Sequence, residues 1–224
     1  MQKQLLIFDF DGTLIDSVPD LATATNTMLK QLGKPTYSLD TIKGWVGNGS
    51  RLLVERALVG KTEVPTEALT KTEADYAEQL FLEAYNNIKD SKTVAYPDVD
   101  NGLKKLYDAG FTLALVTNKP IRFVPKILQS FGWQDLFAEV LGGDSLPTKK
   151  PDPAPLLHVC DVLGVMQDKA VMIGDSKNDI LAGQNAKMDT IGLSYGYNYG
   201  QDIRDFQPTK AFDSFAELVD YLLT

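Results

Sequence analysis

Short apolar runs recur along the chain, and helical patterns lie between them. The runs are QLLIFDF (4–10), TLALVT (112–117), AEVLGG (138–143), KAVMIGD (169–175) and DTIGLS (189–194). They are nearly continuous rather than alternating, which is how a strand buried on both faces of a parallel sheet reads. The stretch 98–110 sets Val99, Leu103 and Leu106 on one face and closes on Gly110; 121–131, 153–164 and 176–186 also read as helices. A strand joined to a parallel neighbour needs a crossover, and a helix supplies it. The spacing therefore predicts an α/β fold, a doubly wound, Rossmann-like parallel sheet with helices on both faces.

From about 17 to 90 the alternation stops, and only helical patterns remain. Ser17 and Asp20 have capping-box spacing, Pro19 stands in the first turn and Gly33 marks a C-terminal stop. Val18, Leu21, Ala22, Met28, Leu29 and Leu32 recur between them at helical spacing. Leu69, Tyr76, Leu80, Ala84 and Ile88 mark a later long helix. The expected organisation is a catalytic core of 1–16 and 91–224 with an inserted all-α cap of 17–90, hinged near 14–17 and 90–97.

The 224 residues carry a formal net charge of -8, against which a dedicated nucleic-acid surface is not expected. Cys160 is the sole cysteine, so an internal disulfide is excluded. No apolar run approaches the ~20 residues that span a bilayer, and the start of the chain lacks a signal-peptide layout. The expected setting is the cytoplasm, with no membrane and no nucleic-acid partner, as a monomer or homodimer.

Ligands of open α/β sheets bind beyond the carboxyl ends of the strands, and there the chemistry-bearing residues cluster. Asp9 and Asp11 end the first run, Thr117, Asn118 and Lys119 the second, and Asp175 the fourth, with Asp179 one helical turn on. Lys149 and Lys150 precede Pro151. One acid after a strand is ordinarily a cap or turn residue. Four acids, a lysine and a hydroxyl on one rim need another reason. Crowded carboxylates raise one another's pKa unless a cation offsets them, and a hard ion such as Mg²⁺ suits an all-oxygen set.

DFDGTLIDS (9–17), VTNK (116–119), KKPDP (149–153) and GDSKND (174–179), in that order, resemble the four-motif signature of the haloacid dehalogenase superfamily. The resemblance covers nearly the whole chain and implies roles residue by residue. Asp9 would attack phosphorus and form an aspartyl-phosphate. Asp11 would protonate the leaving oxygen and then activate water. Asp9, the backbone carbonyl of Asp11, and Asp175 would hold Mg²⁺. Thr117 and Asn118 would bind the phosphoryl oxygens, Lys150 would offset charge, and Asp179 would orient Lys150 or a water. An acid at position 11 suits phosphate esters, whose leaving alkoxide needs a proton. The resemblance thus implies a phosphomonoesterase acting on a small phosphorylated carboxylate or a sugar phosphate.

The insert resembles the cap of the subclass that holds phosphoglycolate phosphatases and β-phosphoglucomutases. Its WVGNGSRLLVERAL stretch (45–58) places Gly47, Asn48 and Gly49 in a turn. Ser50 is expected to cap the next helix, and turn amides with Arg51 to read a carboxylate. A plain helix–helix turn is the alternative. These features favour hydrolysis of 2-phosphoglycolate over the mutase chemistry of β-phosphoglucomutases or a metal-binding module without turnover. His158 and Cys160 are expected to be surface or packing residues, and Trp45 and Trp133 core or interface residues. The loop 195–200 reads equally as an edge of the site or as plain surface.

Overall fold

The computed structural model describes residues 3–224. The chain opens with β1 (Leu5–Phe8) and the short β2 (Ile15–Asp16), then enters four helices: α1 (Val18–Gln31), α2 (Leu39–Lys43), α3 (Ser50–Val59) and α4 (Lys71–Asn86). It returns through β3 (Val94–Ala95) and then alternates. In order follow α5 (Val99–Asp108), β4 (Thr112–Val116), α6 (Val124–Phe131), β5 (Phe137–Leu141) and α7 (Ala154–Leu163). Then come β6 (Ala170–Gly174), α8 (Lys177–Asn185), β7 (Asp189–Leu193), β8 (Lys210–Phe212) and α9 (Phe215–Leu223).

The main sheet has six strands in the order β5-β4-β1-β6-β7-β8, all parallel. The five apolar runs are its inner strands and one edge. β8 went unforeseen because its three residues, Lys-Ala-Phe, carry no periodic signal. Strand residues alternate between faces. Leu6, Phe8, Leu113, Leu115, Val171 and Ile173 pack in one core with residues of α5, α6 and α9. Leu5, Ile7, Ala114, Val116, Ala170 and Met172 pack in another with residues of α7 and α8, Cys160 among them. Two covered faces explain why the runs are continuous.

The helices α1 to α4 gather around an apolar cluster of their own that includes Met28, Leu29, Trp45, Leu53 and Phe81. α1 ends as expected: Gly33 has φ 66°, its amide bonds to Lys30, and the Lys34 amide reaches back to Leu29. Its start differs. Ser17 donates its hydroxyl to Asp11 rather than capping the helix. The Asp20 carboxylate faces the returning strand, where it accepts from the Ser91 hydroxyl, the Lys92 amide and the Thr93 amide and hydroxyl. A capping box would leave those donors without this acceptor. The expected face of the later helix holds in part, since Leu80, Ala84 and Ile88 pack partly buried against the same cluster. Ala74, Ala77 and Phe81 face inward, and Tyr76 is exposed.

Both passages between helical block and sheet run through one small element. β2 and β3 pair antiparallel, Ile15 opposite Ala95 and Asp16 opposite Val94. Pairing across the two strands brings 14–17 and 90–97 side by side. Among the described residues, no helix is long and apolar enough to cross a membrane.

Candidate active site

β1 lies between β4 and β6, with Phe8 opposite both Leu115 and Ile173. The chain runs from β1 to β4 and β5 on one side and then crosses to β6, β7 and β8 on the other, and this reversal of strand order opens a crevice at the carboxyl ends. The residues just past the three strands, Asp9, Thr117 and Asp175, therefore meet although they lie far apart in sequence. The Asp9 amide continues the ladder to the Ile173 carbonyl at 2.9 Å.

Lys150 is 2% exposed, and its Nζ lies 2.9 Å from Asp9 Oδ1 and 2.7 Å from Asp179 Oδ1. Asp179 is held on its other oxygen by the amide and hydroxyl of Ser176, at 3.0 and 2.8 Å. It thus caps α8 and fixes Lys150 together. Asp175 accepts from the Thr13 hydroxyl at 2.6 Å and from the Tyr197 amide. Burial and the nearby Asp179 push Asp9 up to about 7, with Lys150 pulling the other way. Burial, with Asp179 and Asp9, also holds Asp175 well above the ordinary carboxylate range. Burial would lower the Lys150 pKa, but Asp179 and Asp9 together raise it.

One oxygen each from Asp9, Asp175 and Asp179 lies within 4.8 Å of the others. Three buried carboxylates against one lysine leave negative charge uncompensated, and their all-oxygen chemistry fits a hard divalent cation. Both side chains expected at the metal, Asp9 and Asp175, are in this cluster, and Asp11 was expected to offer only its backbone carbonyl. The Asp11 carboxylate pairs with Ser17 and Lys119, and Asp179 joins the cluster as a third acid.

Lys119 Nζ lies 3.0 and 3.2 Å from the two Asp11 carboxylate oxygens and 4.8 Å from the centre of the Tyr85 ring. It is buried. Burial would lower its pKa, yet Asp11 and Tyr85 raise it above the usual lysine value. In the sequence Lys119 only ends the second apolar run and has no role of its own. Its place directly after Thr117-Asn118 was the signal that could have promoted it. Thr117 is buried beside it and accepts the Lys119 amide at 3.2 Å. Asn118 donates to the Lys150 carbonyl at 3.0 Å and to the Gly47 carbonyl at 3.2 Å, so it ties the rim to the helical block.

Close packing explains the glycine of the first motif. Gly12 has φ 94°, and a Cβ there would collide with the Asp175 carboxylate. Only glycine meets both demands.

The turn at 47–49 docks on this rim. Gly47 and Gly49 have φ 120° and 86°. The Gly47 carbonyl accepts from Asn118 and from Asn178, and the Asn48 carbonyl accepts from Lys149 at 2.9 Å. Burial lowers the Lys149 pKa. The Asn48 side chain accepts from the Tyr199 hydroxyl at 2.6 Å, so it serves docking. Gly47, Gly49 and Ser50 line a cavity together with Asp9, Asp11, Thr117, Asn118 and Lys119. Leu21, Val46, Leu53, Phe81, Tyr85 and Phe123 form its apolar side.

Two expectations for the turn are corrected. Ser50 is the first residue of α3 and donates to Glu78, while Gly49 takes the cap position. Arg51 is not brought to the cavity. Its guanidinium binds Glu55 and Asp75 at 2.7 Å and Glu78 at 3.1 Å. Three acids on α3 and α4 satisfy it where it stands, and nothing draws it toward the rim.

The loop 195–200 edges the site. Tyr195 donates to the Thr13 carbonyl at 2.7 Å; Tyr197 donates its hydroxyl to Asp16 and accepts the Ser17 amide. Tyr197 thereby joins Asp175 to the β2 passage, a role without any local sequence signal. His158 is exposed on α7, and Trp45 and Trp133 are buried.

A family model described as haloacid dehalogenase-like hydrolase matches residues 6–193. A phosphoglycolate phosphatase of Psychrobacter arcticus is 74% identical over 223 residues, covering 100% of this chain and 97% of that protein. One of Colwellia psychrerythraea is 49% identical, covering 97% and 96%. The crystal structure of a predicted phosphoglycolate phosphatase from Haemophilus somnus superposes with a TM-score of 0.91 at 39% identity, covering 99% of this chain and 98% of that one.

Proposed function

The chain belongs to the haloacid dehalogenase-like hydrolase family, and on that premise we propose that it hydrolyses 2-phosphoglycolate to glycolate and phosphate. The observation that carries the proposal is the convergence of Asp9, Asp11 and Thr117 on one cavity, with Lys150 directly behind Asp9. The whole-length likeness to phosphoglycolate phosphatases supports the substrate.

Asp9 attacks phosphorus, and the ester P–O bond breaks as the aspartyl-phosphate forms. Asp11 delivers a proton to the departing glycolate oxygen. It then takes one from the water that cleaves the acyl phosphate and regenerates Asp9. The Thr117 hydroxyl and the Asn118 backbone N–H hold the phosphoryl oxygens. Lys150 holds Asp9 in place and offsets the negative charge gathered around it. Asp9 and Asp175, with the Asp11 carbonyl and Asp179 nearby, would hold Mg²⁺, which supplies positive charge to the phosphoryl group when bound. The helical block over the rim excludes water from the first step and admits it for the second. The lone buried Cys160 supports a reducing, cytoplasmic setting.

Phosphate release from 2-phosphoglycolate by purified protein, with Mg²⁺ and with EDTA, tests the reading. Release that needs Mg²⁺ and far exceeds release from hexose phosphates is expected. Turnover of hexose phosphates alone would replace the substrate, and full activity in EDTA would remove the metal.

A further inference from the structure

The apolar side of the cavity poses a charge problem that the proposed chemistry does not solve. On the reading above, the leaving group carries a carboxylate. Glycolate places that carboxylate only two bonds from the ester oxygen that Asp11 protonates. The carboxylate must therefore come to rest close to Asp11, another acid, in a cavity whose apolar side is formed by Leu21, Val46, Leu53, Phe81 and Phe123. Burying two carboxylates together without a cation is strongly unfavourable.

Among the described residues that line the cavity, Lys119 is the one with a positive side chain. Its Nζ already sits 3.0 and 3.2 Å from the Asp11 carboxylate, so it is within reach of any group that approaches Asp11. The ammonium has three N–H donors, enough to serve Asp11 and a second carboxylate together. The Tyr85 ring at 4.8 Å steadies the charge from another side. Of the other lysines at the rim, Lys150 is occupied by Asp9 and Asp179, and Lys149 donates to the Asn48 carbonyl. Arg51 is held by Glu55, Asp75 and Glu78 outside the cavity.

We propose that Lys119 binds the carboxylate of the substrate's leaving group and is the residue that selects a phosphorylated carboxylate over a neutral phosphate ester. The inference rests on the proposed 2-phosphoglycolate activity. Lys119 reads the carboxylate while Thr117, two residues earlier on the same loop, meets the phosphoryl group. One short loop after β4 thus measures the distance between the two anionic ends of the substrate. A longer acid would carry its carboxylate past Lys119 into the apolar wall.

The test compares 2-phosphoglycolate with ethyl phosphate, which keeps the two-carbon ester and lacks the carboxylate. Turnover of 2-phosphoglycolate by the unaltered protein is measured first; its absence would remove the proposed function and not the assignment of Lys119 alone. Given that turnover, Lys119→Met should lower kcat/KM for 2-phosphoglycolate roughly 10- to 100-fold more than for ethyl phosphate, the loss of a hydrogen-bonded charge pair. The difference should lie mainly in KM. Lys119→Arg, which keeps the charge and the pairing to Asp11, should retain most of the preference, and Arg51→Ala should leave it intact. Circular dichroism checks that each variant folds. Equal losses on both substrates in Lys119→Met and Lys119→Arg would overturn the proposal, since Lys119 would then only position Asp11. A preference lost in Arg51→Ala and kept in Lys119→Met would overturn it in favour of the helical block.

Discussion

Two ion networks in this molecule are built from the same parts and do opposite things. At the rim, Lys150 stands between Asp9 and Asp179, with side chains 1%, 12% and 0% exposed. On the helical block, Arg51 joins Glu55, Asp75 and Glu78, with side chains 31%, 24%, 46% and 23% exposed. Water screens the second network, and its charges cost little to maintain. The first is desolvated, so each charge depends on its partner, and burial with the nearby Asp179 holds Asp9 well above the ordinary carboxylate range. Burial decides which cluster stores electrostatic tension for chemistry and which merely ties two helices together.

The sharpest break in this comparison is Asp9→Asn. The amide keeps the shape and loses the nucleophile, so activity should fall by at least roughly 10³-fold while the thermal midpoint holds. A phosphate-release assay beside a melting curve checks both halves. Near-normal activity would remove Asp9 from the reaction.

Lys150→Met should cost about 3–5 kcal/mol of stability, because it leaves Asp9 and Asp179 buried without a counter-charge. Denaturant unfolding measures it. A loss near that of a surface variant would mean that the two acids are already neutral.

Metal and pH sharpen the same contrast. In EDTA, Asp9 titrates near 7 in the folded chain against about 3.8 unfolded, and Asp175 is raised as well. The folded chain then binds more protons than the unfolded one, so metal-free stability should fall as pH rises between about 4 and 7. Mg²⁺ should flatten that slope, since a cation replaces the bound protons. Melting temperatures across this range, with and without Mg²⁺, check the sign. A slope unaffected by Mg²⁺ would count against metal binding at these acids.

Asp20 offers a smaller effect. Burial would raise its pKa, but hydrogen bonds from Ser91, Lys92 and Thr93 bring it below the ordinary value. Its contribution is therefore present above about pH 4 and lost as pH falls through the lowered folded value. Asp20→Asn, which places an amide against those donors, should cost about 1–2 kcal/mol by denaturant unfolding. Arg51→Ala should do least, within about 1 kcal/mol and shrinking with added salt.

The fold was legible because each buried strand states itself locally. A run such as Ala170–Gly174 is apolar on both faces wherever it lies in the sheet. The rim residues were legible for the same reason, since Asp9, Thr117 and Asp175 follow such runs directly. The role of Tyr197 had no local sign, because it comes from packing between a loop and the distant Asp16 and Asp175. Arg51 shows the opposite error. Its place after a glycine turn suggested a ligand, while two of its three partners, Asp75 and Glu78, came from α4, more than twenty residues away.

By itself, then, the sequence determined the α/β alternation, the helical insert and the residue types at the strand ends, because burial on both faces and turn chemistry are written into neighbouring residues. Only the tertiary structure decided which lysine faces which acid, that Asp179 joins Asp9 and Asp175, and that Lys119 rather than Arg51 enters the cavity. Those pairings depend on the distance and burial of groups far apart in the chain, and electrostatic energy is set by both.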